Sequence, residues 1–172
     1  MTQKEFLHNV MPLKNKLYSF AIGLLKNKEE AKDVVQDTFL KVWKSEKNIG
    51  DYTNLESWCM TLVRNRCLDI FKRKDRNNTG LDEYVYLKSE DNQPHENLEI
   101  KESLIQVKKI INSLPLLQQE IIFLRDFQEK SYKEIAEIVA IDINNVKANI
   151  HRARKTIKEK MNKISNYGMQ SI

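Results

Sequence analysis

Residues 131–158, SYKEIAEIVAIDINNVKANIHRARKTIK, read as a short helix, a tight turn and a second helix rich in cations. Ser131 is placed to cap the first helix, with Glu134 three residues on to complete a capping box. Ile135, Ala136, Ile138 and Val139 give that helix an apolar side. Ala140-Ile141-Asp142 is the turn, and Asp142 suits the cap of the second helix. In that helix Val146, Ile150, Ala153 and Ile157 recur at helical spacing and form one apolar stripe. Asn144, Ala148, His151, Arg152 and Lys155 fall opposite it, flanked by Lys147 and Arg154. One face packs and the other offers amides and cations. A helix lying in a DNA major groove needs that combination: small and amide side chains for base edges, cations for phosphates. An ordinary helical hairpin with a solvated basic face is the plainer reading. The agreement of cap, turn and basic helix in one register favours DNA binding.

The chain of 172 residues has room for one medium domain or two small ones. Four Gly and three Pro disfavour a turn-rich β fold. Long Lys/Glu/Leu/Ile-rich segments indicate an all-α chain. The net charge of +5 understates the local charge. Cations crowd 64–76 and 147–163, and acids dominate 82–102. Two separate basic patches suggest two contacts with a polyanion. Cys59 and Cys67, if on one helix, sit roughly 12 Å apart, too far to bond. Nothing near them resembles a metal set, so no cofactor is expected, and a reducing cytoplasm is the expected setting. The amino terminus MTQKEFLHNV lacks the apolar core of a signal peptide. No apolar run approaches the roughly 20 residues that span a bilayer, so no membrane insertion is expected.

Periodicity places a first helix from about Lys4 to Leu25, with Pro12 bending or breaking it. A second helix, capped by Asn27, runs to about Lys44. A third, opened by Thr53 and Glu56, runs to about Lys74. These form a compact bundle over 1–76. Residues 77–97 are acidic, polar and aperiodic, with breakers at Gly80 and Pro94, and read as a flexible linker. A second helical domain occupies 98–165, its first helix striped by Leu104, Val107, Ile110 and Ile111, and 166–172 is a tail. The chain is thus expected to be two small helical domains, the second carrying the helix-turn-helix.

The second helix, KEEAKDVVQDTFLKVWKS, turns Ala31, Val34, Val35, Thr38, Phe39 and Val42 inward. Asp33, Gln36, Asp37, Leu40 and Lys44 face outward. Leu40 is either a lone exposed leucine or part of a docking face for a partner's helix. The third helix is apolar over most of its circumference. Arg66 and Asp69 project to one side of it, where a buried or half-buried ion pair between them is expected. Tyr52 and Trp58 lie near Arg64 and Lys72. Aromatics beside cations suit unpaired nucleic acid, although Trp58 equally suits the core.

Together these segments resemble one family, the small alternative bacterial sigma factors of the extracytoplasmic-function type. AKDVVQDTFLKVWK resembles the family's docking region for core RNA polymerase, NLESWCMTLVRNRCLDIFKRK its promoter-melting and minus-ten helix, and LPLLQQEIIFLRDFQEKSYKEIAEIVAIDINNVKANIHRARKTIKEKM its minus-thirty-five-reading region four, which also touches the polymerase flap. The resemblance implies a factor that binds core polymerase and promoter DNA and directs recognition, melting and initiation. It assigns Asp33, Gln36, Asp37, Phe39, Leu40 and Trp43 to docking, with Phe39 and Trp43 mainly packing that helix. Tyr52, Asn54, Trp58, Arg64, Asn65, Lys72 and Arg73 fall in the minus-ten region, and the loop 48–54 matches the segment that captures a flipped base. Asn144, Asn145, Lys147, Ala148, His151, Arg152, Arg154 and Lys155 fall to the minus-thirty-five helix. An anti-sigma partner, free or membrane-bound, is implied too, as is a linker that mimics nucleic acid in the polymerase's RNA exit path. Two positions depart from the pattern. Ala140 stands where Gly is common, compatible with an ordinary backbone angle there, and Asn149 stands where Arg is frequent.

Two other classes fit parts of the chain. A stand-alone regulator would need no docking face, against the acidic surface around Asp37 and Leu40. A nucleic-acid enzyme would need clustered catalytic groups, whereas His8, His95 and His151 are scattered and no phosphate-binding glycine loop is present. The chain is therefore expected not to be an enzyme.

Overall fold

The computed structural model describes residues 2–45, 54–77 and 98–169, with side chains over 2–45, 54–75 and 104–164. All of its regular elements are helical. They are α1 (Gln3–Glu5), α2 (Lys14–Leu25), α3 (Lys28–Trp43), α4 (Leu55–Asn77), α5 (Leu98–Asn112), α6 (Leu116–Ile122), α7 (Tyr132–Val139) and α8 (Ile143–Met169). Residues 46–53 and the expected linker 78–97 lie outside the described residues. The chain divides into two compact units. One holds the amino-terminal helices together with Lys133–Ala140, and the other holds the remaining carboxyl-terminal helices.

In the first unit the expected single helix is broken as Pro12 requires. A π-helical turn over Phe6–Val10 and a 3-10 turn over Met11–Leu13 precede α2. Proline has no N–H to give the ladder, and the looser and tighter turns absorb the mismatch. Val10, Leu17, Phe20, Ala21 and Leu24 are buried as their spacing predicts. α2 then ends without glycine. Lys26 takes a left-handed φ of 57° and its N–H donates to the Ile22 carbonyl at 3.0 Å. This reverses the chain within two residues, and burial pushes the Lys26 ammonium below its ordinary pKa.

α3 starts where expected. The Asn27 side-chain oxygen accepts from the backbone N–H groups of Glu29 and Glu30 at 3.0 and 3.1 Å. Ala31, Val34, Val35, Thr38 and Val42 are buried. The Thr38 hydroxyl donates to the Val34 carbonyl at 2.8 Å, which removes the cost of burying it. α2 packs against α3 and α4, and α3 against α4. Met60, Val63, Cys59 and Cys67 of α4 complete the core, and neither cysteine forms a disulfide. Burial pushes the Cys59 thiol up to about 12, so it packs as a hydrophobe and is a poor nucleophile at neutral pH.

In the second unit α5 and α6 each pack on α8. Leu114, Ile122 and Ala153 form a buried cluster with Ile157 against it. Of the stripe expected on α5, Ile110 is buried and Val107 and Ile111 are half-buried, but Leu104 is exposed. α6 runs into a π-helical turn over Phe123–Phe127, and Glu129 closes it with a φ of 54°. α8 continues to Met169, into the stretch 166–172 expected to be a tail.

Candidate functional site

The helix-turn-helix has its expected register, with α7 and α8 separated by Ala140, Ile141 and Asp142. Asp142 caps α8: its Oδ1 accepts from the Asn145 N–H at 2.9 Å. These amide bonds, the Asn145 backbone N–H first, hold the Asp142 carboxyl below its ordinary pKa. The turn differs from expectation at Ala140, whose φ is 56° rather than ordinary. The chain makes the glycine-type turn with a Cβ in place, at a cost of about 1 kcal/mol or more.

Val146, Ile150 and Ala153 of α8 are buried, so the opposite face is turned out. Asn144, Asn145, Lys147, His151, Arg152, Arg154 and Lys155 are exposed and Ala148 is half-buried. These eight residues do not have equal freedom. The Asn145 amide donates to Asp142 Oδ2, and Asn149 Nδ2 donates to the Asn145 carbonyl at 2.9 Å. Arg154 Nη2 donates to Asp126 Oδ1 at 2.6 Å. Lys155 lies 4.0 Å from Glu159. Among the described residues Lys147, His151 and Arg152 have no ion pair, so their donors remain for an incoming anion or base edge.

On α3, Asp33, Gln36, Leu40 and Trp43 are exposed, and Asp37 and Phe39 half-buried. Phe6 meets Phe39 and Trp43 edge-on, with ring centroids 5.7 and 5.4 Å away. Phe39 and Trp43 thus pack the helix against the amino-terminal turn. Leu40 keeps 54% of its surface in solvent beside them.

Asn54, Trp58, Asn65 and Lys72 share one face of α4 by helical spacing. Trp58 and Arg64 are half-buried, Asn65, Lys72 and Arg73 exposed. Tyr52 and Thr53 lie outside the described residues. Asn54 is itself a cap, its Oδ1 accepting from the Ser57 N–H at 2.9 Å, while its Nδ2 donates to Glu134 Oε1 at 3.0 Å. Glu56 pairs with Lys16 at 3.1 Å.

The expected Arg66–Asp69 pair does not form. Arg66 Nε donates instead to Asp37 Oδ2 at 2.8 Å, and Asp69 is exposed. Two turns along, Lys74 Nζ meets Glu30 Oε2 at 2.9 Å. The two pairs tie α3 to α4 across a groove of about 290 Å³ lined by Glu30, Asp33, Val34, Arg66, Ile70, Arg73 and Lys74. Sequence reasoning missed Arg66 as a partner of Asp37 because spacing within one helix says nothing about the register between two. Once α3 and α4 are seen to run antiparallel, Glu30 and Asp37 match Lys74 and Arg66 two turns apart. Among the described residues no His/Cys/Asp/Glu cluster could hold a metal, and no helix is long and apolar enough to cross a membrane.

Residues 10–77 match the family model for Sigma-70 region 2, and residues 104–157 that for Sigma-70, region 4. The chain belongs to the sigma-70 family of RNA polymerase sigma factors, in its extracytoplasmic-function branch. It is similar to the RNA polymerase sigma factor YlaC of Bacillus subtilis, at 29% identity over 78% of this chain and 79% of that protein. It is also similar to the ECF RNA polymerase sigma factor SigM of the same organism, at 26% identity over 87% and 90%. The solved sigma factor RpoE of Bartonella quintana, in complex with the anti-sigma factor NepR, superposes with a TM-score of 0.75 at 27% identity, covering 92% of this chain and 98% of that one. As an alternative sigma factor the chain binds core RNA polymerase and directs transcription initiation. The family consists of non-enzymatic transcription regulators.

Proposed function

We propose that this sigma factor divides its work between residues 1–76, as region two, and 98–165, as region four, joined by the acidic segment 77–97. Asp33, Gln36, Asp37 and Leu40 dock on core polymerase, with Phe39 and Trp43 holding the helix that presents them. Asn144, Lys147, Ala148, His151 and Arg152 read the minus-thirty-five duplex. Asn145, Arg154 and Lys155 border that face; the bond from Asn145 to Asp142 closes the first turn of the helix, and the bond from Arg154 to Asp126 ties it to the turn over Phe123–Phe127. Tyr52, Asn54, Trp58, Arg64, Asn65, Lys72 and Arg73 take the minus-ten region, stacking on unpaired bases and neutralising phosphates. Strand opening is driven by binding the unpaired state, with no chemistry at the factor itself. It acts in the cytoplasm and is held in check by an anti-sigma factor, in keeping with the partner in the Bartonella complex.

The observation that carries this reading is the outer face of α8, where Lys147, His151 and Arg152 stand exposed over a buried stripe without ion-pair partners among the described residues. The test is capture of purified bacterial core polymerase by the chain, followed by abortive transcription from a promoter pool. Capture with promoter-selective initiation supports the reading. Promoter binding without capture would make the chain a stand-alone regulator.

A further inference from the structure

The groove between α3 and α4 carries a residue that neither the docking helix nor its composition reveals. Arg66 lies on α4, yet its hydrogen bond goes to Asp37, in the middle of the outward strip of α3. Both side chains are part-exposed, Arg66 at 30% and Asp37 at 40%. The bond uses Nε of Arg66 and one carboxylate oxygen. Among the described residues the second oxygen of Asp37 has no hydrogen bond, which leaves it for a donor from another molecule. An unrestrained aspartate on a helix surface samples several rotamers, and a partner that binds one of them must freeze it. A guanidinium is suited to hold it, because its planar donors fix direction as well as charge. The Glu30–Lys74 pair, two turns away, holds the same two helices in register, so the Arg66 bond has a firm base.

We propose that Arg66 is a positioning residue for polymerase docking: it presets the Asp37 carboxylate and makes no contact with polymerase itself. The inference rests on the docking role of Asp37 proposed above. It differs from a plain structural role because Arg66 then acts on core binding only through Asp37.

The test is a double-mutant cycle on the full chain, reading the affinity for purified core polymerase by fluorescence anisotropy. Arg66→Gln is expected to weaken core binding by about threefold to tenfold, the entropy of one side chain to be ordered. In an Asp37→Ala background the same change should have no further effect. Arg66→Lys keeps the charge but not the planar fork and should fall between. Melting temperatures of all variants read out the structural role separately. Unchanged affinity in Arg66→Gln would overturn the inference, and so would an effect that adds fully to that of Asp37→Ala. Failure of Asp37→Ala alone to weaken capture would instead strike the docking assignment, so the two failures are distinct.

Discussion

The two basic regions treat their cations in opposite ways. On α4, Arg66 and Lys74 are spent on carboxylates of α3, and Lys16 of α2 on Glu56 of α4, so much of the charge holds a three-helix frame together. On α8, Arg154 is tied to Asp126 and Lys160 donates to the Ser113 hydroxyl, whereas Lys147, His151 and Arg152 face solvent without an ion pair among the described residues. Charge density alone does not separate a scaffold from a polyanion surface. The partner of each cation does. Exposed ion pairs contribute little to stability individually, so the α3–α4 pairs matter for geometry more than for energy.

Four experiments break or sharpen that contrast. The largest effect is expected at Asp37. Asp37→Lys puts a cation beside Arg66 and removes a docking carboxylate, and core capture should fall by about a hundredfold or more while the helical circular dichroism stays intact. Normal capture would dissolve the contrast, since the paired region would then have no partner surface. Arg152→Ala comes next. It should cost about 1–3 kcal/mol on the minus-thirty-five duplex if the guanidinium reads a base, and leave core capture unchanged. A loss equal on every DNA sequence would make Arg152 a phosphate contact. Ala140→Gly should stabilise the chain by about 1 kcal/mol in urea unfolding, since glycine removes the Cβ clash at φ 56°. No gain would show that the turn relaxes. The smallest effect is at the tip of α8. Because the folded Asp142 carboxyl lies below its unfolded value, its contribution is present above the ordinary carboxylate range and is lost as pH falls through the lower folded value. Asp142→Ala should therefore flatten part of the acid limb of helicity and leave the neutral limb parallel to the parent.

Periodicity and capping chemistry sufficed for most of the helices. Asn27 and Asp142 cap where their side chains predict, and Val146, Ile150 and Ala153 are buried because a single stripe admits one packing. The break at Pro12 was legible from the missing N–H. Three things were not. Arg66 stands three residues before Asp69 and could satisfy either its own helix or a neighbour, and only the register of α3 against α4 decides. The backbone at Ala140 depends on how tightly the turn must close, which side-chain identity does not encode. Leu104 shares the helical period of a core residue, yet it is exposed while Ile110, six residues on in the same helix, is buried, and the period alone does not say where along α5 the packing begins. For the site the legible part was the outward face of α8. Which of its eight residues are already engaged, Asn145 with Asp142 and Arg154 with Asp126, needed atoms.

α8 is 27 residues long, about 40 Å as a rod. The residues assigned to DNA end at Lys155, so the remaining fourteen carry the helix roughly 20 Å further along its axis. That segment is a lever arm. A fluorophore attached near its tip would swing through a long arc when α8 tilts by a few degrees, and would report the seating of the reading face from a place that does not obstruct it.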